Sequence, residues 1–383
     1  MAPLYFDYAA STPLDVRVQR EIRKAEALYG NPSSFNGKGR EAREALERAR
    51  TNVAKFLNAR PREIVFTSSG SEANNLAVLG LAKHFKKGEI IASAIEHPSL
   101  LAPLKKIPQS MKYYIAPVDS EGVIKLNELD KLITPKTILI SLIYANNEIG
   151  TIQPIKKIKR IIREKEKEYS TKILFHIDAC QATGYLEMNV QNLGVDLLTL
   201  NSSKVYGPRG VGALFIRTGV VLDPLIHGGD QEARLRAGTE NLAGIIGFAK
   251  ALSLVKPQEG ERLKKLRDYF FEKMPAVLPE AIINGDRTER LANNINISLP
   301  NLTSEELLLE LDKYGISAGS GSACTARSVE PSHVLRAIGV PKEYLQGALR
   351  FSLGRGTNKK QINQLSGVLP KIVRNLEKRL KSL

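Results

Sequence analysis

The sequence contains little of what marks a secreted or membrane-embedded protein. Its 383 residues include two cysteines and no tryptophan, so no disulfide framework is expected. No apolar run approaches the ~18 residues that a membrane-spanning helix needs. Residues 1–10 lack a basic stretch followed by an apolar one, and we therefore expect no secretory signal, no membrane partner and a cytoplasmic location.

Acidic residues are also in the minority, with 40 against 56 lysines and arginines, which gives a net charge of +16. Such an excess attracts acidic partners such as tRNA or an acidic protein. The basic residues, however, are spread over amphipathic segments that also contain glutamate, for example 156–167 and 262–273. Aromatic side chains are not interleaved with them as a base-stacking surface requires. We interpret the excess as a solvated surface and expect no direct nucleic-acid binding.

Short apolar segments alternate with helical ones along the first half of the chain. Apolar residues at helical spacing predict helices over 39–57, 71–85 and 155–168. Strands are predicted at 63–67, 90–94, 137–144, 173–177, 197–201 and 212–216. This order is typical of a mainly parallel sheet covered by helices on both faces, with ligands bound at the carboxyl ends of the strands.

A break near residues 255–260, where proline and glycine precede a long charged helix, separates this pattern from a different mixture of strands and helices. We therefore predict a large domain over 15–256 and a smaller α+β domain over 257–383. The N-terminal residues 1–14 are too few to fold alone and are expected to pack with the smaller domain.

Lys204 stands between an apolar strand and the turn-rich segment YGPRG. A lysine there is poorly placed for a solvated role, and burial would make its amine nucleophilic toward an aldehyde because it disfavours the ammonium form. Asn201, Ser202 and Ser203, directly before it, are suited to hydrogen-bond phosphate oxygens. Taken alone, this segment also fits an ordinary surface lysine beside a turn.

Three further segments favour a site for pyridoxal phosphate. In FTSSGSEANNLAV a strand ends, Gly70 frees the backbone and Ser71 opens a helix, whose N-terminal N–H groups suit a phosphate. An ordinary helix cap is the alternative, and both can hold at once. Asp178 follows an apolar strand, where a carboxylate can pair with a protonated pyridine nitrogen or cap a helix. His97 follows another strand, and imidazole can lie over a cofactor ring and move protons, although a lone histidine is often structural. Together with Lys204, these residues predict a pyridoxal phosphate site.

Cys324 lies in ISAGSGSACTARSVEPSHVL, among glycines and small hydroxyl side chains that predict an exposed, mobile loop. Its thiolate could attack the sulfur of a substrate and keep that sulfur as a persulfide. An incidental free thiol is the alternative that the segment alone leaves open. Cys180, in the compact turn DACQ, is expected to be inert.

These segments make the sequence resemble the cysteine desulfurases of the NifS/IscS type over essentially the whole chain. The resemblance implies a pyridoxal-phosphate-dependent transferase of fold type I, a homodimer with a mainly parallel seven-stranded sheet in the large domain. It implies conversion of L-cysteine to L-alanine, with the sulfur passed on to an iron–sulfur scaffold or a tRNA-thiolation carrier. The matching segments are YFDYAASTP (5–13), YGNPSS (29–34), FTSSGSEANNLA (66–77), EHPS (96–99), NNEIGTIQPI (146–155), HIDACQATG (176–184), KVYGPRGVGAL (204–214), RAGTEN (236–241), SGSACTARSVEPSHVLRAIG (320–339) and RFSLGRGT (350–357).

The resemblance also implies a role for each matching position. Lys204 forms the Schiff base with the cofactor, Cys324 takes the sulfur, and His97 stacks on the ring. Arg350 grips the substrate carboxylate in the bidentate way that guanidinium allows, with Asn147 beside it. The implied cofactor-binding residues are Gly70, Ser71, His97, Asn147, Asp178, Gln181, Asn201, Ser203, Lys204 and Thr239 of the partner subunit.

The segment directly before the cofactor lysine departs from the family pattern. The usual Ser-x-His before the cofactor lysine is Asn201-Ser202-Ser203 here, which removes a potential imidazolium beside the phosphate. This departure leaves open a non-catalytic sulfur-relay or tRNA-binding protein that kept the fold but not the cofactor. Two enzymes of the same fold are further alternatives, a selenocysteine lyase and an aminotransferase. The SGSAC segment argues against an aminotransferase, and the intact cofactor residues argue against the relay protein.

Overall fold

The computed structural model describes residues 3–321 and 331–381. Cys324 therefore lies outside the described residues. The strands in chain order are β1 (Leu4–Tyr5), β2 (Ile64–Thr67), β3 (Gly88–Ser93), β4 (Met111–Ala116), β5 (Thr137–Ile143), β6 (Leu174–Asp178), β7 (Leu197–Asn201), β8 (Gly212–Ile216), β9 (Ile282–Ile283), β10 (Asn294–Ser298), β11 (Ile316–Ser317) and β12 (Ala348–Ser352).

Helices connect and cover these strands. In chain order they are α1 (Val16–Ala25), α2 (Gly37–Leu57), α3 (Gly70–Asn75), α4 (Leu81–Phe85), α5 (Pro98–Leu104), α6 (Leu126–Leu132), α7 (Ile155–Tyr169), α8 (Val190–Leu193), α9 (Leu242–Ser253), α10 (Pro257–Val277), α11 (Ser304–Lys313), α12 (His333–Ala337) and α13 (Lys359–Lys381). A π-helical turn, Leu76–Gly80, joins α3 to α4, so the predicted helix over 71–85 is one continuous stretch. In the part of the chain that the structure describes, no helix has the length and apolar character to cross a membrane.

Seven strands form the large sheet, in the order β2-β8-β7-β6-β5-β3-β4. Strand β8 runs antiparallel to β7 and β2, while the other neighbouring pairs are parallel. The predicted mainly parallel α/β sheet is thereby confirmed. Its central strands are mainly apolar and almost entirely buried, because helices cover both faces.

Strand β4 was not predicted from the sequence. It lies at the edge of the sheet, where Lys112, Tyr113 and Ile115 are exposed while Met111 and Ala116 are buried. The segment therefore shows neither a continuous apolar run nor a clean alternation, and those are the two patterns by which strands are recognised.

A second hydrophobic core lies around β9, β10 and β12, which form a small antiparallel sheet. Leu4 and Phe6, from the N-terminus, pack in this core with side chains of α10, α11 and α13. Strand β1 also pairs in parallel with β11. The first residues thus pack with the C-terminal part of the chain, while the boundaries after residues 14 and 256 stay a prediction.

The carboxyl ends of four sheet strands bring candidate residues to one edge of the large sheet. Ser71 follows β2, His97 follows β3, and Asn147 follows β5. Asp178 is the last residue of β6. Ligand sites of open α/β sheets form at this edge because the connecting loops open there.

His176 lies in the centre of the large sheet, and we expect its burial to make the free energy of unfolding depend on pH. Its Nδ1 is 2.7 Å from Ser141 Oγ and its Nε2 is 3.0 Å from Thr199 Oγ1. Burial lowers the pKa of His176 to about 4, whereas an unfolded histidine titrates near about 6.5. At pH values between these two pKa values, His176 binds a proton in the unfolded chain but not in the folded one. As the pH drops through this range, His176 therefore lowers the free energy of unfolding by about 3 kcal/mol.

Urea unfolding of the wild type and of His176→Gln over this pH window measures that contribution. The variant should lose less stability than the wild type as the pH falls through the window. The exposed His227 supplies the control, since His227→Gln should keep the wild-type pH dependence. Equal pH dependence in wild type and His176→Gln would contradict the assignment.

Candidate active site

A cavity of about 230 Å³ opens at this edge of the large sheet. Most of the residues singled out from the sequence line it together: Gly70, Ser71, His97, Asn147, Asp178, Gln181, Asn201, Lys204 and Arg350. Two candidates within the described residues do not line it. Ser203 lies beside the cavity on the same turn as Lys204, and Thr239 is exposed to solvent.

Lys204 ends a short 3-10 turn, Ser202–Lys204, that directly follows β7. It is half-buried rather than fully buried, and its Nζ donates to the backbone oxygens of Ala9 and Ala10, each at 2.7 Å. Gln181 Nε2 donates to the same Ala9 oxygen at 3.0 Å. The N-terminal segment therefore forms one wall of the cavity, a contact that the predicted strands and helices did not indicate.

Asn201 holds the turn that presents Lys204. Its Oδ1 accepts from the backbone N–H and from the hydroxyl of Ser203, both at 3.2 Å. The Ser203 hydroxyl is thus engaged within the turn, at the position where the family pattern has histidine. These hydrogen bonds order the turn, because an asparagine side-chain oxygen readily accepts the backbone N–H of the residue two positions later.

Asp178 is buried and held by two donors. Its Oδ1 accepts from the backbone N–H of Cys180 at 3.0 Å, and its Oδ2 accepts from Asn74 Nδ2 at 2.7 Å. Two hydrogen bonds to different oxygens fix the plane of a carboxylate. Asn74 was not singled out from the sequence, although it lies three residues after Ser71 and so on the same face of the helix.

His97 caps the N-terminus of α5. Its Nδ1 accepts the backbone N–H of Ser99 at 3.1 Å and lies 2.7 Å from Ser99 Oγ. Burial lowers the pKa of His97, so the ring is neutral at neutral pH. Because Nδ1 accepts, we assign the ring proton to Nε2.

The turn before α3 brings backbone close to the cavity. The helix cap is Ser69 and not Ser71, since Ser69 Oγ accepts the N–H of Glu72 at 3.2 Å. A Cβ atom at Gly70 would lie 2.6 Å from the sulfur of Cys180. A larger residue there would press against that sulfur, whereas glycine lets the start of the helix line the cavity, and the N-terminus of a helix suits an anion.

Arg350 lies on β12 and is almost completely buried. Its Nη1 donates to the backbone oxygen of Asn147 at 2.9 Å, and its Nη2 donates to Asp7 Oδ1 at 2.8 Å. Its Nε is buried without a hydrogen-bond partner among the described residues. Asp7, which the sequence reasoning missed, comes from the N-terminal segment and orients the guanidinium from a distance of 343 residues along the chain.

Cys324 lies between two described residues, Gly321 and Ser332, that contact the same carboxylate. Ser332 Oγ donates to Glu148 Oε2 at 2.6 Å, and a Cβ atom at Gly321 would lie 2.7 Å from that oxygen. Burial raises the pKa of Glu148. Both ends of the Cys324 segment therefore lie beside Glu148, which directly follows the cavity-lining Asn147 in the sequence.

Cys180 is the other cysteine, and it lines the cavity. Burial is the largest cause that raises the pKa of its thiol, and the nearby Asp178 raises it further. A thiol in this environment stays protonated and is a poor nucleophile.

The groups around the cavity fit pyridoxal phosphate. An aldehyde needs an amine, a pyridine nitrogen needs a carboxylate, and a phosphate needs exposed N–H groups. Lys204, the buried Asp178 and the turn at Gly70 supply these in one cavity. Asn74 Oδ1 and Arg350 Nε, both buried and without partners within the described ranges, mark polar positions that a bound molecule can satisfy.

Comparison with known proteins identifies the family. The model of the family "Aminotransferase class-V" matches residues 4–365. A cysteine desulfurase IscS of Dictyoglomus turgidum is 46% identical over 382 residues, which covers 97% of this chain and 95% of the relative. The chain therefore belongs to the aminotransferase class-V family and, within it, to the cysteine desulfurases of the IscS/NifS type. This family depends on pyridoxal phosphate, and the resemblance inferred from the sequence is confirmed.

Solved structures support the same assignment of fold. A NifS-like protein superimposes with a TM-score of 0.90 at 36% identity, covering 97% of this chain and 99% of that chain. The structure of SspA in complex with cysteine gives a TM-score of 0.79 at 34% identity, covering 91% and 98% of the two chains. The expected fold type I architecture is thereby confirmed.

Proposed function

We propose that this cysteine desulfurase holds pyridoxal phosphate on Lys204 and takes the sulfur of L-cysteine onto Cys324. One observation carries the proposal: the amine of Lys204, the carboxylate of Asp178 and the imidazole of His97 surround a single cavity. The products are L-alanine and a persulfide on the enzyme.

The cofactor, when bound, supplies an electron sink that makes the Cα proton of an attached amino acid acidic. Lys204 Nζ would carry it and would then take the Cα proton of the substrate. Asp178 would pair with the ring nitrogen, and Gln181 and Asn147 would address the ring hydroxyl. Gly70, Ser71, Asn201 and Ser203 would bind the phosphate. His97, neutral because burial lowers its pKa, would lie against the ring and move protons.

Cys324 would attack the sulfur of the substrate as a thiolate. A sulfur–sulfur bond forms and the bond between Cβ and sulfur breaks. The electron pair of that bond stays on Cβ, which takes up a proton and becomes the methyl group of alanine. Atoms balance, because the substrate thiol has moved to Cys324 and one proton has replaced it on carbon.

Arg350 would bind the substrate carboxylate. Its contacts with Asp7 and Asn147 fix the plane of the guanidinium, while its buried Nε has no partner among the described residues. A guanidinium that presents Nε and a terminal nitrogen along one edge matches the two oxygens of a carboxylate. Asn147 would contact the substrate from the same side.

A homodimer completes the proposed site. Thr239 is exposed and lies outside this protomer's cavity, as expected of a residue that reaches the phosphate of the other subunit. Phe35 is 88% exposed and Tyr29 is 78% exposed, and these two side chains are candidates for the subunit interface. The persulfide would then pass to an acceptor, an iron–sulfur scaffold or a tRNA-thiolation carrier.

The proposal predicts the products directly. Protein supplied with pyridoxal phosphate, L-cysteine and a thiol reductant should release alanine and sulfide in equal amounts, measured by amino-acid analysis and a sulfide assay. Alanine from selenocysteine but not from cysteine would identify a selenocysteine lyase instead. Absence of the cofactor's visible absorbance and of alanine would identify a non-catalytic relay protein.

A further inference from the structure

Asn74 is a buried amide that touches two candidate active-site groups at once. It is 1% exposed and lines the cavity. Its Nδ2 donates to Asp178 Oδ2 at 2.7 Å and to Ser99 Oγ at 2.9 Å. Its Oδ1 is buried and has no hydrogen-bond partner among the described residues.

The orientation of this amide follows from its neighbours. An amide nitrogen has two hydrogens, and here both are used, one by a carboxylate and one by a hydroxyl. The flipped amide would bring Oδ1 against the Asp178 carboxylate, which has no hydrogen to donate when ionised. The observed orientation is therefore the favourable one, and it leaves Oδ1 as the unpartnered atom.

Ser99 links Asn74 to His97 through hydrogen bonds of its hydroxyl group. Because Ser99 Oγ accepts from Asn74, its own proton is available for His97 Nδ1, which lies 2.7 Å away. The result is one hydrogen-bonded chain from Asp178 through Asn74 and Ser99 to His97. Its two ends are the groups that the proposed mechanism places at the ring nitrogen and at the ring face.

The backbone around Asn74 is also irregular. The residue lies in the last turn of α3, immediately before the π-helical turn Leu76–Gly80. Such single π-helical turns often occur at functional sites because they shift the side chains that precede and follow them by part of a turn. Here the π-helical turn follows an asparagine whose side chain contacts both β6 and α5.

We propose that Asn74 is a positioning residue that holds Asp178 in the orientation that the cofactor's ring nitrogen requires, and that couples Asp178 to His97. The inference rests on the proposed function, because it concerns how the chain receives pyridoxal phosphate. Loss of the amide removes the 2.7 Å hydrogen bond to Asp178 Oδ2 and frees the carboxylate to rotate away from the ring nitrogen.

The test compares pyridoxal phosphate with 1-deazapyridoxal phosphate, which has carbon in place of the ring nitrogen. The wild type should bind the natural cofactor about 10-fold more tightly, since the analogue leaves a buried carboxylate without its partner. Asn74→Ala should bring this ratio down toward about 1. Asn74→Leu, which keeps the approximate size but not the amide, should do the same and guards against collapse of the site.

Asn52 on α2, which is exposed, provides the control: Asn52→Ala should keep the wild-type ratio. If both Asn74 variants weaken the two compounds equally, so that the ratio stays at the wild-type value, Asn74 is only a packing residue and the inference is wrong. Failure of the proposed function has a different signature, namely a wild type that binds neither compound or makes no alanine from cysteine.

Discussion

Replacement of Cys324 by alanine should abolish sulfide release from L-cysteine, by at least about 1,000-fold, while the bound cofactor keeps its visible absorbance. The chain has two cysteines, and burial raises the pKa of the remaining one, Cys180. A thiol that stays protonated cannot replace a lost thiolate nucleophile. The measurements are sulfide release with dithiothreitol, alkylation of the persulfide, and the absorbance spectrum of each purified variant.

Cys180→Ala is the matched control for this experiment. It removes the other thiol and should still form a persulfide and release sulfide. If Cys324→Ala made sulfide at the wild-type rate, the sulfur would be leaving by a route that does not use this residue. Loss of activity only in Cys180→Ala would assign the chemistry to the cavity cysteine instead.

Replacement of Lys204 by alanine should remove the covalently attached cofactor and lower alanine formation by at least about 1,000-fold. The amine lies in the cavity at the end of β7 and is oriented there by the backbone oxygens of Ala9 and Ala10, each at 2.7 Å. Borohydride reduction fixes a lysine-bound aldehyde permanently. Mass spectrometry of the digested wild type should then find the cofactor on the peptide that contains Lys204.

Lys204→Arg separates the two roles of this side chain. A guanidinium can still donate to the Ala9 and Ala10 oxygens, but it is not a nucleophile at any ordinary pH. We expect the arginine variant to fold like the wild type and to lack the borohydride-stable adduct. A borohydride-stable adduct on any other peptide in Lys204→Ala would mean that another amine holds the cofactor.

The sequence predicted those residues of the candidate site that come directly after strands. His97, Asp178 and Lys204 each come directly after an apolar segment, and parallel strands deliver such residues to one edge of the sheet. Ser71 was recognised in the same way, although the structure assigns the helix cap to Ser69. Strand β4 was missed because an edge strand carries exposed side chains where a central strand is apolar.

Residues that act through others were not found from the sequence. Asn74 looks like any polar residue of a helix until its amide is seen between Asp178 and Ser99. Asp7 and Ala9 come from a short N-terminal segment with no periodic pattern, and their partners Arg350 and Lys204 are far away along the chain. Spacing in sequence carries no signal for a contact of this kind.

The sequence by itself determined the α/β class and the family, and it supplied the candidate residues for the chemistry, because these depend on local patterns and on which side chains are present. Only the tertiary structure decided how those side chains are oriented: Asp178 by Asn74, Arg350 by Asp7, and Lys204 by the carbonyls of the N-terminal segment. The physical reason is that a hydrogen bond fixes direction only between groups already brought together. Packing of the two cores does that, and it joins residues that are hundreds of positions apart in the chain.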